Sequence, residues 1–290
     1  MVKMKRIANS KTVITLLLAV AMSVTDIKAQ DVIYEKEDSI FIEHMIKKHT
    51  ADKYDNTGDR ITALAREFIG KDYIAGTLDD YDNEPLFVSS SRVDCTTFME
   101  TVLAIALCGQ NEHFAHFCKN LELIRYRGGE RNGYTSRLHY ISWWITDPAK
   151  RNIIREIATP HHTATQHLDL NFMSSHPQSY KHLKDNPQAT ESIAKLERRL
   201  CKGDVKYIPK ESIKEITEKD IKDGDIIAIV TAIDGLDVTH IGFVCWQKEE
   251  LHMIHASSTA GKVINDTTSL ADYLAKRKSH SGIRVFRMFQ

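Results

Sequence analysis

Asp94-Cys95-Thr96-Thr97-Phe98 opens the segment that decides the fold. Asp94 is a good N-cap, because its carboxylate can accept from the free amides of a first helical turn. Behind it, Phe98, Met99, Val102, Leu103, Ile105, Ala106 and Leu107 are apolar almost all round, and Gly109 stops the run. A helix of that kind belongs inside a core, not on a surface. Cys95 then sits in the first turn, where the helix dipole favours a negative sulfur. The sequence therefore predicts a central helix that carries a thiol of lowered pKa.

Two histidines downstream complete a set around this thiol. His240 lies in Thr239-His240-Ile241-Gly242-Phe243-Val244, and His255 lies in Met253-Ile254-His255-Ala256. Both runs read as strands, and alternation puts His240, Gly242, Val244 and Trp246 on one face. A two-residue turn at Lys248-Glu249 pairs Gln247 with Glu250. Gly242 then lies opposite His255, and His240 is diagonal to it. A diagonal of ~7–8 Å is within reach of two imidazoles. An odd-length loop would turn His255 to the other face. A thiol, a base and a group that orients the base are the parts of a cysteine acyl-transfer enzyme. The other cysteines lack this context. Cys108 is late in its helix, Cys245 alternates away from His240, and Cys118 and Cys201 have no partner signal.

The remaining chain bounds the setting. Lys3, Lys5 and Arg6 precede an apolar run from Val13 to Val24, and Ala29 offers a cleavage site. This is the layout of a secretory signal peptide over residues 1–29. Its apolar run is shorter than the roughly 20 residues that a span needs, so no stable membrane insertion is expected after cleavage. Residues 30–290 then read as a single exported domain, periplasmic or secreted. Acidic and basic side chains number 39 each, which gives no reason to expect nucleic acid. Five cysteines make an odd count, and the spacing resembles no disulfide framework, so mostly buried free thiols are expected.

Asp38-Ser39 reads as the start of an amphipathic helix, and Asp59 as the cap of a second one carrying Ile61, Leu64, Ala65 and Phe68. From about 110 to 222 the signals weaken, with helical patches at His113–Leu121 and Glu191–Leu200. The end of the chain is rich in short Ile and Val runs. Helices first and an antiparallel sheet afterwards argue an α+β fold. His161, His162, His167 and Asp169 invite a metal reading, but their spacing matches no zinc signature. No metal and no cofactor are expected.

These pieces resemble the NlpC/p60-type papain-like cysteine peptidoglycan hydrolases. Phe68-Ile69-Gly70-Lys71-Asp72-Tyr73-Ile74-Ala75-Gly76 is similar to that family's first helix end and Gly-x-x-Tyr-x-x-Gly loop. Asp94-Cys95-Thr96-Thr97-Phe98 is similar to its nucleophile helix, although the common members carry Ser where this chain has Thr96. Asp223-Gly224-Asp225-Ile226-Ile227, Thr239-His240-Ile241-Gly242 and Ile254-His255-Ala256 follow in the family's order. The likeness covers Ile61 to Gly109 and Lys222 to Ser258. The form Asp-Cys-Thr-Thr-Phe-Met-Glu, with its long insert, is closest to the N-acetylmuramoyl-L-alanine amidase-like subgroup.

The resemblance implies a papain-like fold with N-terminal helices, a nucleophile helix packed on an antiparallel sheet, and an insert at about 110–222. It implies a cysteine amidase that cleaves the muramic acid–L-Ala amide of muropeptides or peptidoglycan fragments through Cys95, His240 and His255. The alternatives are a γ-D-glutamyl endopeptidase acting on stem peptides and a non-catalytic muropeptide-binding module. Tyr73, Asp94, Tyr126, Arg127, Arg137, His139, Tyr140 and Trp143 are the candidate substrate contacts, since aromatic faces and Arg forks suit sugars and carboxylates.

Overall fold

A computed structural model describes residues 32–149, 153–200 and 202–289. The segment read as a signal peptide and Cys201 lie outside the described residues. The helices are α1 (Lys36–Lys48), α2 (Thr57–Arg66), α3 (Cys95–Ala106), α4 (Phe114–Arg125), α5 (Ile141–Ala149), α6 (Phe172–Ser175), α7 (Pro187–Arg199) and α8 (Leu270–Ala275). The strands are β1 (Val32–Ile33), β2 (Asp72–Tyr73), β3 (Leu86–Phe87), β4 (Arg92–Val93), β5 (Ile154–Glu156), β6 (Ala164–Asp169), β7 (Lys202–Pro209), β8 (Ile226–Thr231), β9 (Val238–Gln247), β10 (Glu250–Ser257), β11 (Lys262–Asn265) and β12 (His280–Met288).

The main sheet runs β4-β2-β11-β10-β9-β8-β12-β7-β6, and β5 joins it on β12. Its pairs are antiparallel apart from β2 with β4. The chain is thus α+β with one large sheet, and everything from Val32 onward falls into one compact unit.

The capping at α3 explains where the central helix begins. Asp94 Oδ1 accepts from the Thr97 amide at 2.8 Å, and the Asp94 amide donates to the Thr97 hydroxyl at 2.9 Å. Each partner satisfies a donor that the first turn leaves free. Behind the cap, the residues from Thr97 to Ala106 are all buried. Phe98 stands edge-on to Phe68 on one side and Phe243 of β9 on the other, at ring separations of 5.6 and 5.5 Å. Burial of a ring that size stabilises the fold by about 1.5–3 kcal/mol. Glu100 is the one acid in the helix, and Arg125 Nε of α4 meets it at 2.6 Å with both side chains buried.

Three expectations are corrected. Helix α1 begins at Lys36, with Asp38 at its third position accepting from the Glu35 amide at 2.9 Å. The cap of α2 is Asn56, whose side chain accepts from the Asp59 amide at 3.0 Å. The weak segment 110–222 also supplies sheet, since β7 pairs with β12 and β6 with β7. Strand β6 reads Ala-Thr-Gln-His-Leu-Asp, with Leu168 its one buried residue. A strand at the sheet edge with so little apolar surface leaves little alternation to read.

Candidate active site

Cys95 is half-buried where the N-terminus of α3 meets the start of β9. The Ile241 backbone and the Thr96 side chain are near enough to its sulfur to favour the ionised form. The nucleophile candidate therefore lies one residue along β9 from His240. Cys95 and His240 line one cavity of about 130 Å³, with Thr96, Met99, Leu138, His139, Ile141, Trp144 and residues 236–241 around them.

The hairpin has the register read from the sequence. Gln247 pairs with Glu250, and Ile254 with Phe243. Lys248 and Glu249 occupy the two-residue turn with φ of 49° and 68°, the left-handed values that a tight hairpin of this kind demands. A Cβ on Gly242 would stand 2.9 Å from the His255 Cβ, so glycine is what lets the two histidines close. His240 Nε2 and His255 Nδ1 are 2.6 Å apart.

Asp266 completes the arrangement, and sequence reasoning missed it. Its Oδ2 lies 3.3 Å from His255 Nε2, while Oδ1 accepts from the Thr268 amide at 2.8 Å. A carboxylate only accepts, so His255 Nε2 carries the proton and its Nδ1 carries a lone pair. The short contact between the rings then requires His240 Nε2 to donate. A neutral His240 so arranged keeps its Nδ1 lone pair as the free base. Tyr273 of α8 also contacts both rings, stacked at 6.3 Å from His240 and edge-on at 5.8 Å from His255. Nothing in the six-residue apolar pattern of α8 marked it as part of the site.

The electrostatics correct one expectation. Burial pushes the Cys95 thiol up to about 12, with Asp94 adding to the shift, while the Ile241 and Thr96 hydrogen bonds oppose it. Desolvation of the sulfur outweighs the helix dipole here. Burial likewise lowers His240 to about 3, helped by His255, His280 and Arg277. His255 is also lowered by burial, against the pull of Asp266. The cavity they share thus holds a neutral thiol and a neutral imidazole at rest, so the chemistry available is general-base activation rather than a standing ion pair.

The candidate substrate contacts divide. His139 lines the Cys95 cavity, and its Nε2 donates to the Tyr134 carbonyl at 2.9 Å. Trp144 lines it too, and its buried indole N–H has no protein partner. Tyr73 is half-buried in β2, with burial and the nearby Cys95 and Asp94 pushing its hydroxyl up to about 12. Asp94 spends Oδ1 on the Thr97 amide and hydroxyl.

The other five are taken up by packing or by bonds within the fold. Tyr126 is fully buried with its hydroxyl on Glu84. Arg137 is buried and forked onto Glu84 and Asp79. Tyr140 donates to Glu197 at 2.6 Å, and Trp143 donates to the Leu200 carbonyl at 3.4 Å. Arg127 lies over the Trp143 ring and donates to the Thr135 carbonyl at 3.3 Å. Acids of the neighbouring segments supply partners for several of the covered polar groups in that stretch, while Arg127 Nε and Nη2 have no protein partner.

Cys95, Cys108, Cys118 and Cys245 are free thiols. Among the described residues no group of three His, Cys, Asp or Glu is placed to hold a metal ion. His167 pairs with Asp204 at 2.8 Å, and His162 bonds within its own turn at Thr159. Among the described residues no helix is long and apolar enough to cross a membrane.

A profile of the AmiA-like, N-acetylmuramoyl-L-alanine amidase-like family matches residues 63–283. The chain is similar in structure to an N-acetylmuramoyl-L-alanine amidase from Bacteroides uniformis, with 37% identity and a TM-score of 0.77 over 81% of this chain and 99% of that one. It is similar to a protein from Bacteroides fragilis described provisionally as a xylanase, with 42% identity and a TM-score of 0.74 over 78% of this chain and 100% of that one. A Legionella pneumophila protein, 24% identical with a TM-score of 0.66 over 88% of this chain and 96% of that one, shares the fold. A comparison with the curated proteins finds no match. The matched stretch is most of the chain, and the chain belongs to the N-acetylmuramoyl-L-alanine amidase-like family.

Proposed function

We propose that this member of the N-acetylmuramoyl-L-alanine amidase-like family hydrolyses the amide between muramic acid and L-alanine in soluble peptidoglycan fragments, outside the cytoplasm. The observation that carries the reading is the line Cys95, His240, His255, Asp266, which joins a thiol at a helix N-terminus to a base of fixed tautomer. The nucleophile helix packed on the histidine strands supports an NlpC/p60-type papain-like scaffold, built as a single domain over residues 30–290 with an insert at about 110–222. The basic and apolar residues of 1–29 support export.

In the first step His240 Nδ1 takes the Cys95 proton as the sulfur attacks the lactyl carbonyl. The free amides of the first turn of α3 are the donors available to the developing oxyanion. His240 then gives the proton to the leaving L-alanine nitrogen, and the muramoyl group stays on sulfur as a thioester. Water, deprotonated by His240, attacks the thioester and releases the muramic acid carboxylate and the thiol. His139 and Trp144, beside Leu138 and Ile141, form the wall available to the sugar.

A glycosidase needs two carboxylates flanking the bond. The cavity wall holds one acid, Asp237, and its two oxygens accept the Ser142 and Val238 amides. Glycoside cleavage at this pocket is therefore disfavoured. The endopeptidase reading uses Asp94 to hold a substrate amine, and with Oδ1 on the cap only Oδ2 is left for that role. The test offers one stem peptide with and without its N-acetylmuramoyl group. Release of a peptide with a free N-terminal L-alanine, from the sugar-bearing form alone, is expected. A cut between D-glutamate and the third residue of the bare peptide replaces the proposal with the endopeptidase. Muropeptide binding with no cleavage by the unaltered protein replaces it with the binding module.

A further inference from the structure

A second cavity, of about 400 Å³, adjoins the histidine pair on the side of α8. Asp266 and Tyr273 form part of its wall, so it reaches the same residues that hold His240 and His255. Ser257, Thr259, Thr268, Lys276 and Arg277 line the rest of its polar surface. Asp266 is the one acid in that lining. Its Oδ2 faces His255 and its Oδ1 accepts from the Thr268 amide, and among the described residues it forms no ion pair with Lys276 or Arg277.

The cations are accordingly left without an acid. Among the described residues, the Arg277 guanidinium makes no ion pair or side-chain hydrogen bond, and Lys276 Nζ reaches only the Thr268 hydroxyl at 3.5 Å. Arg277 is also close enough to His240 and Tyr273 to act on them electrostatically. A guanidinium and an ammonium in one cavity, with hydroxyls around them, are suited to carboxylates.

We infer that the cavity bounded by Asp266, Tyr273, Lys276 and Arg277 is the subsite for the departing peptide, and that Lys276 and Arg277 take its carboxylates. The inference rests on the proposed amidase reading, which puts the muramoyl group in the Cys95 cavity and leaves the peptide on the other side of the reacting carbonyl. The stem peptide carries a free α-carboxylate at its second residue, D-glutamate, when it is linked through the side chain. The two cations would therefore select acidic stems over amidated ones, and they would do so by binding and not by proton transfer.

The experiment measures calorimetric binding to the Cys95→Ala protein of N-acetylmuramoyl-L-alanyl-D-glutamic acid and of its isoglutamine counterpart, whose α-carboxylate is an amide. The acid form is expected to bind at least about tenfold more tightly, and raising NaCl should erode that preference because the cations are exposed. Adding Lys276→Gln and Arg277→Gln should abolish the preference, bringing the affinities for the two forms to within about twofold of each other. Equal binding of the two forms, or a preference that survives both substitutions, overturns the subsite. Intact preference in a protein whose Cys95 form shows no turnover leaves the subsite standing and removes the amidase reading alone.

Discussion

At the scale of single residues, the chemistry of the site depends on which nitrogen holds which proton. His240 is neutral in the resting site because burial holds it down to about 3. A base with a lowered pKa is ready above that value and is lost only as pH falls through it. The profile of kcat/KM against pH should thus show no acid limb at the ordinary imidazole value of 6.5 and should stay level to about pH 5. A limb near 6.5 would mean that the free enzyme holds His240 as an ordinary exposed imidazole. Asp266→Asn tests the other end of the relay. An amide can donate to His255 Nε2, which moves the proton to Nδ1 and sets two N–H groups against each other at His240. We expect kcat to fall at least about tenfold with KM little changed, and thermal stability to drop only slightly. An unchanged kcat would place Asp266 outside the mechanism. Cys95, His240 and His255 were legible because each stands in a local pattern. Asp266 was not, because its role depends on a hairpin that returns it to His255 from eleven positions away.

At the scale of elements, the β9–β10 hairpin is what makes two separate histidines one device. Gly242 gives the room for it, and its neighbours leave none for a methyl group. Gly242→Ala should cost about 1–3 kcal/mol of stability through overpacking. It should also lower turnover by more than that loss of folded protein explains, since the clash falls on His255 itself. Denaturant unfolding and kcat measured on the same preparation separate the two, and a fully active Gly242→Ala protein would show that the register does not position the base. This hairpin was readable because strand alternation and an even-length turn fix which side chains share a face. Strands β6 and β7 escaped reading for the opposite reason, as β6 is mostly polar with one buried residue, and only the pairing of β6 with β7 and of β7 with β12 gives them a place. Helix α8 is short and its apolar pair Leu270 and Leu274 says nothing about Tyr273, whose contacts with the histidines are set by tertiary packing.

At the scale of the whole molecule, the segment between α3 and β8 serves two ends. It adds strands to the sheet, and through His139 and Trp144 it closes one wall over Cys95. Much of its aromatic and arginine content holds it together. Arg137 sits buried between Glu84 and Asp79, with Tyr126 on the same Glu84. Arg137→Ala should therefore destabilise the protein by about 3–5 kcal/mol, because Glu84 is left buried without its partner. A shifted denaturant midpoint with near-normal KM in the surviving folded fraction is the expected result, and a raised KM at unchanged stability would make Arg137 a substrate contact after all. From the sequence alone, arginine and aromatic side chains suggest a sugar site and a buried network equally, because the partner acids of Tyr126, Arg137 and Tyr140 lie 42, 53 and 57 residues away. The central claim is that Cys95 carries the muramoyl group between two chemical steps. Its most direct test is to acid-quench the protein during turnover of an N-acetylmuramoyl peptide and map the mass added to each cysteine-containing peptide. An N-acetylmuramoyl thioester on Cys95, and on no other thiol, is the expected result. A peptidyl group on Cys95, or steady turnover with Cys95 unmodified and its alanine variant fully active, would contradict it.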